Sequence, residues 1–220
     1  NEGVLHLSYT ACLPAVSLIL KETKCAEWAN EALEYLEQDE GVKDVILAFR
    51  HARYLFGDQT KTYPELPNTD FRLTLDDAYS GISIEESHKL YWASFKEIVD
   101  RLMAAGKNVH ILYPVPELPV DIRKAVTPMS VFNRRPLLDP QKVISMDYYL
   151  RRNRDVINWL DNLTYDEQLK AIYPTDMLCQ GEYCKAAIDD RVLYRDDNHL
   201  NIHGVREVFN LVFDERNGSF

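Results

Sequence analysis

Residues 44–49 read "DVILAF". After Asp44, five apolar residues follow without interruption, too few for a helix and with no polar alternation. Such a run is the mark of a strand covered on both faces, and strands of that kind belong to parallel sheets flanked by helices. The text on either side agrees. Upstream, "CAEWANEALEYLEQDEG" (25–41) places Trp28, Ala29, Ala32, Leu33 and Leu36 on one helical stripe, with Gly41 as a stop. Downstream, "EESHKLYWASFKEIVDRLMAAG" (85–106) is an amphipathic helix closed by Gly106, and "NVHILYPVPELP" (108–119) is a second buried strand running into a proline-rich turn. A helix over 140–163, a strand at "LKAIYP" (169–174) and a last helix from about Asn201 to Arg216 complete the alternation. "GVLHLSYT" (3–10) reads as an opening strand. Strand and helix taking turns predict an α/β fold with a parallel sheet. Two irregular stretches, 53–84 and 117–140, follow the C-terminal ends of strands, the edge where open α/β sheets bind ligands. No repeat or linker divides the text, so a single domain over 1–220 is expected.

The chain has 220 residues and a net charge of −10. An acidic chain without clustered Lys and Arg is a poor match to nucleic acid or to an anionic membrane surface. The densest cationic group, Arg151, Arg152 and Arg154, is expected to be a solvated helix face. No apolar run is long enough to cross a membrane, and no signal peptide is evident. The text opens at Asn1 close to a strand, as a piece of a longer polypeptide would. The cysteines form two local couples, Cys12 with Cys25 and Cys179 with Cys184. Neither has the tight knuckle of a zinc site. Two disulfides in an oxidising compartment and four reduced cysteines both fit these spacings.

Dinucleotide, P-loop and nucleophile-elbow glycine patterns are absent, and no cofactor is implied. What remains is "LYRDDNHLNIHG" (193–204). An Asp three residues before a His, on a loop turning into a helix, can curl back to hold one ring nitrogen of the imidazole. That would fix the tautomer and leave the other nitrogen as a base. Asp196 has this spacing to His199; Asp197 does not. The alternative is a turn that only caps a helix, with Asn201 as the N-cap and His199 incidental. His203 lies one helical turn beyond His199, but no third ligand is near, so no metal site is expected.

The stretch "LYRDDNHLNIHGV" resembles the last block of the SGNH hydrolases, in particular the SGNH domains fused to bacterial acyltransferase-3 membrane proteins. It departs from the family pattern at Asn201, where Ser is usual, and at Val205, where Ala is. Other segments agree in order: "TACLPAV" with "CAEWAN", "DVILAFRHARY", "LMAAGKNVHILYPVPELP" and "MLCQGEYC". The resemblance implies a flavodoxin-like three-layer α/β/α fold with strand order 2-1-3-4-5. It also implies disulfides Cys12–Cys25 and Cys179–Cys184, with His199 as general base and Asp196 as its orienter. The family's first strand ends in Gly-Asp-Ser-His, whose Ser is the nucleophile. No such text occurs, and none of Ser8, Ser17, Ser80, Ser83, Ser87, Ser94, Ser130, Ser145 and Ser219 follows Gly-Asp. The expectation is that strand 1 and its Ser lie upstream of Asn1 in the parent protein. The family's usual oxyanion donors are missing too; Arg50, at the end of the 44–49 strand, is the best-placed polar candidate. Asn30 reads as structural. The implied protein is an O-acyltransferase that moves an acyl group, most simply acetyl, from an acyl donor to a sugar hydroxyl of a surface glycan acceptor. The implied setting is the periplasmic or extracellular face of the inner membrane, tethered through an N-terminal acyltransferase-3 membrane domain of the same chain. An inactive glycan-binding or docking domain and a free-standing acetyl esterase are the alternatives.

Overall fold

The computed structural model describes residues 3–21, 23–58, 62–67, 73, 75–126, 139, 142–189 and 191–217. In chain order its elements are α1 (Cys25–Gln38), β1 (Asp44–Ala48), α2 (His51–Phe56), α3 (Ile84–Ala104), β2 (Asn108–Leu112), α4 (Ile122–Val126), β3 (Ile144–Ser145) and α5 (Met146–Asp161). There follow β4 (Leu169–Ile172), α6 (Pro174–Leu178), β5 (Cys179–Gln180), β6 (Tyr183–Cys184), β7 (Ala187–Ile188), β8 (Arg191–Val192) and α7 (Ile202–Asn217). The three apolar runs form one parallel sheet in the order β1-β2-β4, flanked by helices. This is the α/β class that the alternation of strands and helices predicts, but β1 is not covered on both faces as its apolar run suggested: it ends the order β1-β2-β4 among the described residues, and Ile46 and Ala48 are exposed.

The residues cluster into two compact units. The first comprises Asn1–Phe56, Asn68–Ile111 and Thr164–Ala171. Its longest helix, α3, starts where Ser83 and Glu86 cap each other reciprocally, and the chain leaves it through Gly106 at a φ of +77°. Arg101 on α3 forks onto Glu37 of α1 at 2.7 and 2.9 Å, and also donates to Asn30. Asn30 in turn donates to the Val16 carbonyl, a structural role. The first turn of α1 is tied back to the preceding loop by the Cys12–Cys25 disulfide. Just past β1, His51 is buried among Phe49, Tyr91, Trp92 and Phe95, with Nδ1 2.7 Å from the Tyr91 hydroxyl. Burial pushes this imidazole down to about 3, so it is neutral at physiological pH.

Two expectations fail in this unit. Residues 3–9 are not a strand, and Val4 is 91% exposed. A β-rich text becomes a strand only with a ladder partner, and none pairs with it among the described residues. Secondly, the surface excursion placed at 53–84 begins later than expected, because Arg53 is inside α2, and a 3-10 turn occupies Asp77–Tyr79.

The second unit comprises Gly57–Pro67, Leu112–Leu163 and Ile172–Phe220. Its core gathers Leu118, Ile122, Val143, Ile172, Leu178, Leu193, Tyr194 and Val208. A small antiparallel sheet, β3-β6-β5, sets Ile144 and Cys179 each opposite Cys184. The Cys179–Cys184 disulfide therefore spans a cross-strand pair. Ser145 accepts a hydrogen bond from the Tyr148 backbone N–H, so α5 begins at Met146 and the residues before it belong to β3. The expected solvated face of α5 is half right. Arg151 and Arg154 are exposed, but Arg152 is buried against Glu117. Residues i and i+1 on a helix point about 100° apart, so adjacent arginines need not share a face. Much of the 117–140 stretch, together with Ser130 and Ser219, lies outside the described residues, although residues 122–126 form α4.

Candidate active site

Residues 193–204 close on themselves before they meet anything else. Tyr194 and Leu200 form an antiparallel bridge, and the Arg195 N–H donates to the His199 carbonyl at 2.7 Å. Inside this loop the Asp196 carboxylate does two jobs. Its Oδ1 accepts the backbone N–H groups of Asn198 (2.9 Å) and His199 (2.8 Å), which makes the turn. Its Oδ2 lies 2.8 Å from His199 Nδ1. The capped turn and the acid–histidine dyad, alternatives in the sequence, are therefore the same object. Asp197 turns away, accepting from the side-chain amide of Asn198.

An ionised carboxylate only accepts, so Nδ1 carries the proton and Nε2 is left with a free lone pair in the neutral ring. Nε2 has no hydrogen-bond partner among the described residues, and the His199 side chain is 69% exposed while Asp196 is 23% exposed. Burial pushes the Asp196 carboxyl upward, but the two backbone N–H bonds and the imidazole together outweigh it and hold it below the usual range. The carboxylate therefore stays charged at neutral pH, where it orients the ring and would stabilise an imidazolium.

The loop is anchored at both ends. At its exit Asn201 accepts from the N–H groups of His203 and Gly204, capping α7, and its amide donates to the carbonyls of Val192 and Tyr194. Gly204 sits so close to the loop entrance that a Cβ there would lie 2.2 Å from the Leu193 carbonyl oxygen. On the other side, the segment after β2 donates to the loop backbone: Leu118 N–H to the Asp197 carbonyl (2.6 Å) and Ile122 N–H to the Asp196 carbonyl (3.4 Å). The Tyr194 hydroxyl donates to the Pro116 carbonyl at 2.9 Å. Arg123, exposed and forked on Asp121, feels the Asp196 charge.

Of the residues singled out in the sequence, Asp196 and His199 are brought together. Arg50 lies in the first unit, half-buried, between β1 and α2 in the chain. His203 only has its backbone N–H in the α7 cap, and among the described residues no group of His, Cys, Asp or Glu could hold a metal ion. In the second unit Ser145 is used as a helix cap. The supports on the far side of the loop, Leu118 and Ile122, act through backbone N–H groups, which carry no residue signature.

A carboxylate-held imidazole with its outer nitrogen open, just before α7, is an arrangement that can accept a proton at Nε2. A family model described as "SGNH domain (fused to AT3 domains)" matches residues 1–213. The chain belongs to this family of SGNH domains. The fold is also similar to that of the solved periplasmic domain of a Salmonella ser. Paratyphi A lipopolysaccharide acetyltransferase. The TM-score is 0.56 at 11% identity, over 91% of this chain and 68% of that one. A comparison with curated proteins found no match.

Proposed function

We propose that residues 1–220 are a single SGNH-like domain of an O-acyltransferase, working on the outer side of the cytoplasmic membrane, where His199 is the general base and Asp196 its orienter. The observation that carries this reading is the Asp196 Oδ2–His199 Nδ1 contact of 2.8 Å beside an open Nε2. The nucleophile is a serine on a segment of the parent polypeptide that precedes these residues. Two features support such a segment: the family's fusion to acyltransferase-3 domains, and the outer side of β1, which has no ladder partner among the described residues and exposes Ile46. The sheet order β1-β2-β4 matches the 3-4-5 half of the flavodoxin-like sheet.

In this mechanism Nε2 takes the serine proton as Oγ attacks the acyl carbonyl of the donor. The acyl group passes to Oγ, and the imidazolium returns the proton to the leaving group. A sugar hydroxyl then attacks the acyl-enzyme carbonyl, Nε2 takes its proton and returns it to the departing serine Oγ, and the acylated glycan leaves. The similar Salmonella domain belongs to a lipopolysaccharide acetyltransferase, which supports acetyl as the group and an envelope glycan as the acceptor. The two disulfides fit an oxidising compartment. No helix among the described residues is long and apolar enough to cross a membrane, so the tether is assigned to the acyltransferase-3 part.

A fluorophosphonate serine probe tests this on the complete parent protein. The reading expects one labelled serine in a Gly-Asp-Ser-His setting upstream of Asn1, with labelling lost in His199→Ala. Full labelling in His199→Ala, or no labelled serine, would count against it. A second reading, an inactive domain that binds glycan or docks on its membrane partner, is favoured by one observation: no serine among the described residues hydrogen-bonds His199.

A further inference from the structure

Arg152 and Glu117 form a buried ion pair inside the second unit. Arg152 Nε donates to Glu117 Oε2 at 3.3 Å, and Nη2 donates to the Gly57 carbonyl at 2.5 Å; the two side chains are 2% and 6% exposed. Taking two such charges out of water is costly, and a well-packed apolar pair does as well or better for stability. A buried pair of this kind therefore calls for a geometric use.

Its surroundings show one. Glu117 belongs to "YPVPELP" (113–119), whose prolines at 114, 116 and 119 lack backbone N–H groups. The segment is held instead through its carbonyls: Pro114 accepts from the Tyr149 hydroxyl at 3.0 Å and Pro116 from the Tyr194 hydroxyl at 2.9 Å. Glu117 is its charged tie to α5. The next residue, Leu118, donates its N–H to the Asp197 carbonyl, and Ile122 donates to the Asp196 carbonyl. One rigid path thus runs from Arg152 through Glu117 and Leu118 to the backbone of the Asp196–His199 loop.

We infer that Glu117 and Arg152 are positioning residues, fixing the 114–118 segment where it braces the dyad loop and so holding the Asp196 carboxylate against His199 Nδ1. They act through the loop and touch no reacting atom. The inference rests on the dyad reading above, but its direct readout is the imidazole tautomer, which requires no turnover.

The test is long-range 1H–15N NMR of His199 in the complete parent protein at neutral pH, for wild type, Glu117→Gln and Arg152→Lys, with Arg151→Gln as an exposed control. Wild type and Arg151→Gln are expected to hold the Nδ1–H tautomer. Glu117→Gln and Arg152→Lys are expected to lower its ratio to the Nε2–H form by about three- to tenfold, the range for one lost hydrogen-bond constraint. Circular dichroism identifies which variants are folded; if Glu117→Gln unfolds, the milder Arg152→Lys, which keeps a cation on α5, decides. An unchanged tautomer ratio in a folded variant overturns the inference. A shifted ratio in a parent protein that acylates without His199 would instead keep the positioning role and refute the dyad as catalyst.

Discussion

Residues 3–10 and 193–204 are both short, both partly exposed, and both looked structured as text. Only the second is. Residues 193–204 satisfy their own needs: Asp196 makes the turn and holds His199, and Asn201 caps α7 and ties back to Val192 and Tyr194. Residues 3–10 carry β-prone side chains but have no ladder among the described residues, and Val4, Leu5, Leu7 and Tyr9 are exposed. Hydrogen bonds from a side chain to its own neighbourhood are written in local sequence. A strand is a relation between two segments, and one segment cannot specify it alone.

The contrast can be broken most sharply at Gly204. An added Cβ meets the Leu193 carbonyl at 2.2 Å and Leu200 Cδ2 at 3.0 Å, so Gly204→Ala must push the loop entrance and α7 apart. A loss of about 3 kcal/mol or more in urea denaturation is expected, as for other overpacked buried sites. A loss below about 0.5 kcal/mol, the scale of an ordinary surface change, would mean the loop is not closed as described.

Asp196 gives a smaller, pH-dependent effect. Its carboxyl is held below the usual range in the folded protein, so its contribution is present above the unfolded-state value near 4 and is lost as pH falls through the folded value. The stability gap between wild type and Asp196→Asn should be widest near pH 7 and close towards pH 3, read from denaturation midpoints. A gap that is constant with pH would show that the charge makes no difference.

The smallest effect belongs to the other region. Val4→Ser removes an apolar side chain that is already 91% exposed, and should change stability by less than about 0.5 kcal/mol. A larger loss would reveal a partner for this segment.

The same distinction governs what was legible elsewhere. The apolar run at β1 and the texts at β2 and β4 announced strands, and the apolar periodicity of 85–106 announced α3, which starts one residue earlier at Ile84; β1 is less covered than its text suggested, because Ile46 and Ala48 are exposed. The candidate pair at 196 and 199 was legible because both members and the turn joining them fall within four consecutive residues. Arg152 was misread as solvated because its partner, Glu117, lies 35 positions away and its other acceptor is a backbone carbonyl 95 away. The small β3-β6-β5 sheet was missed because its strands are two residues each, too short for any periodicity. The short helix α2 hid in a stretch of weak pattern, where burial of His51 among aromatic rings, rather than periodicity, holds it.

The most direct measurement is His199→Ala in the complete parent protein, comparing acylation of the envelope glycan by mass spectrometry with the thermal midpoint of the domain. The His199 side chain is mostly exposed and, among the described residues, its ring bonds only to Asp196, so the midpoint should move little. Acylation should fall by about 10²- to 10⁴-fold, the usual worth of a positioned general base. Acylation at the wild-type level in a folded His199→Ala protein would contradict the account.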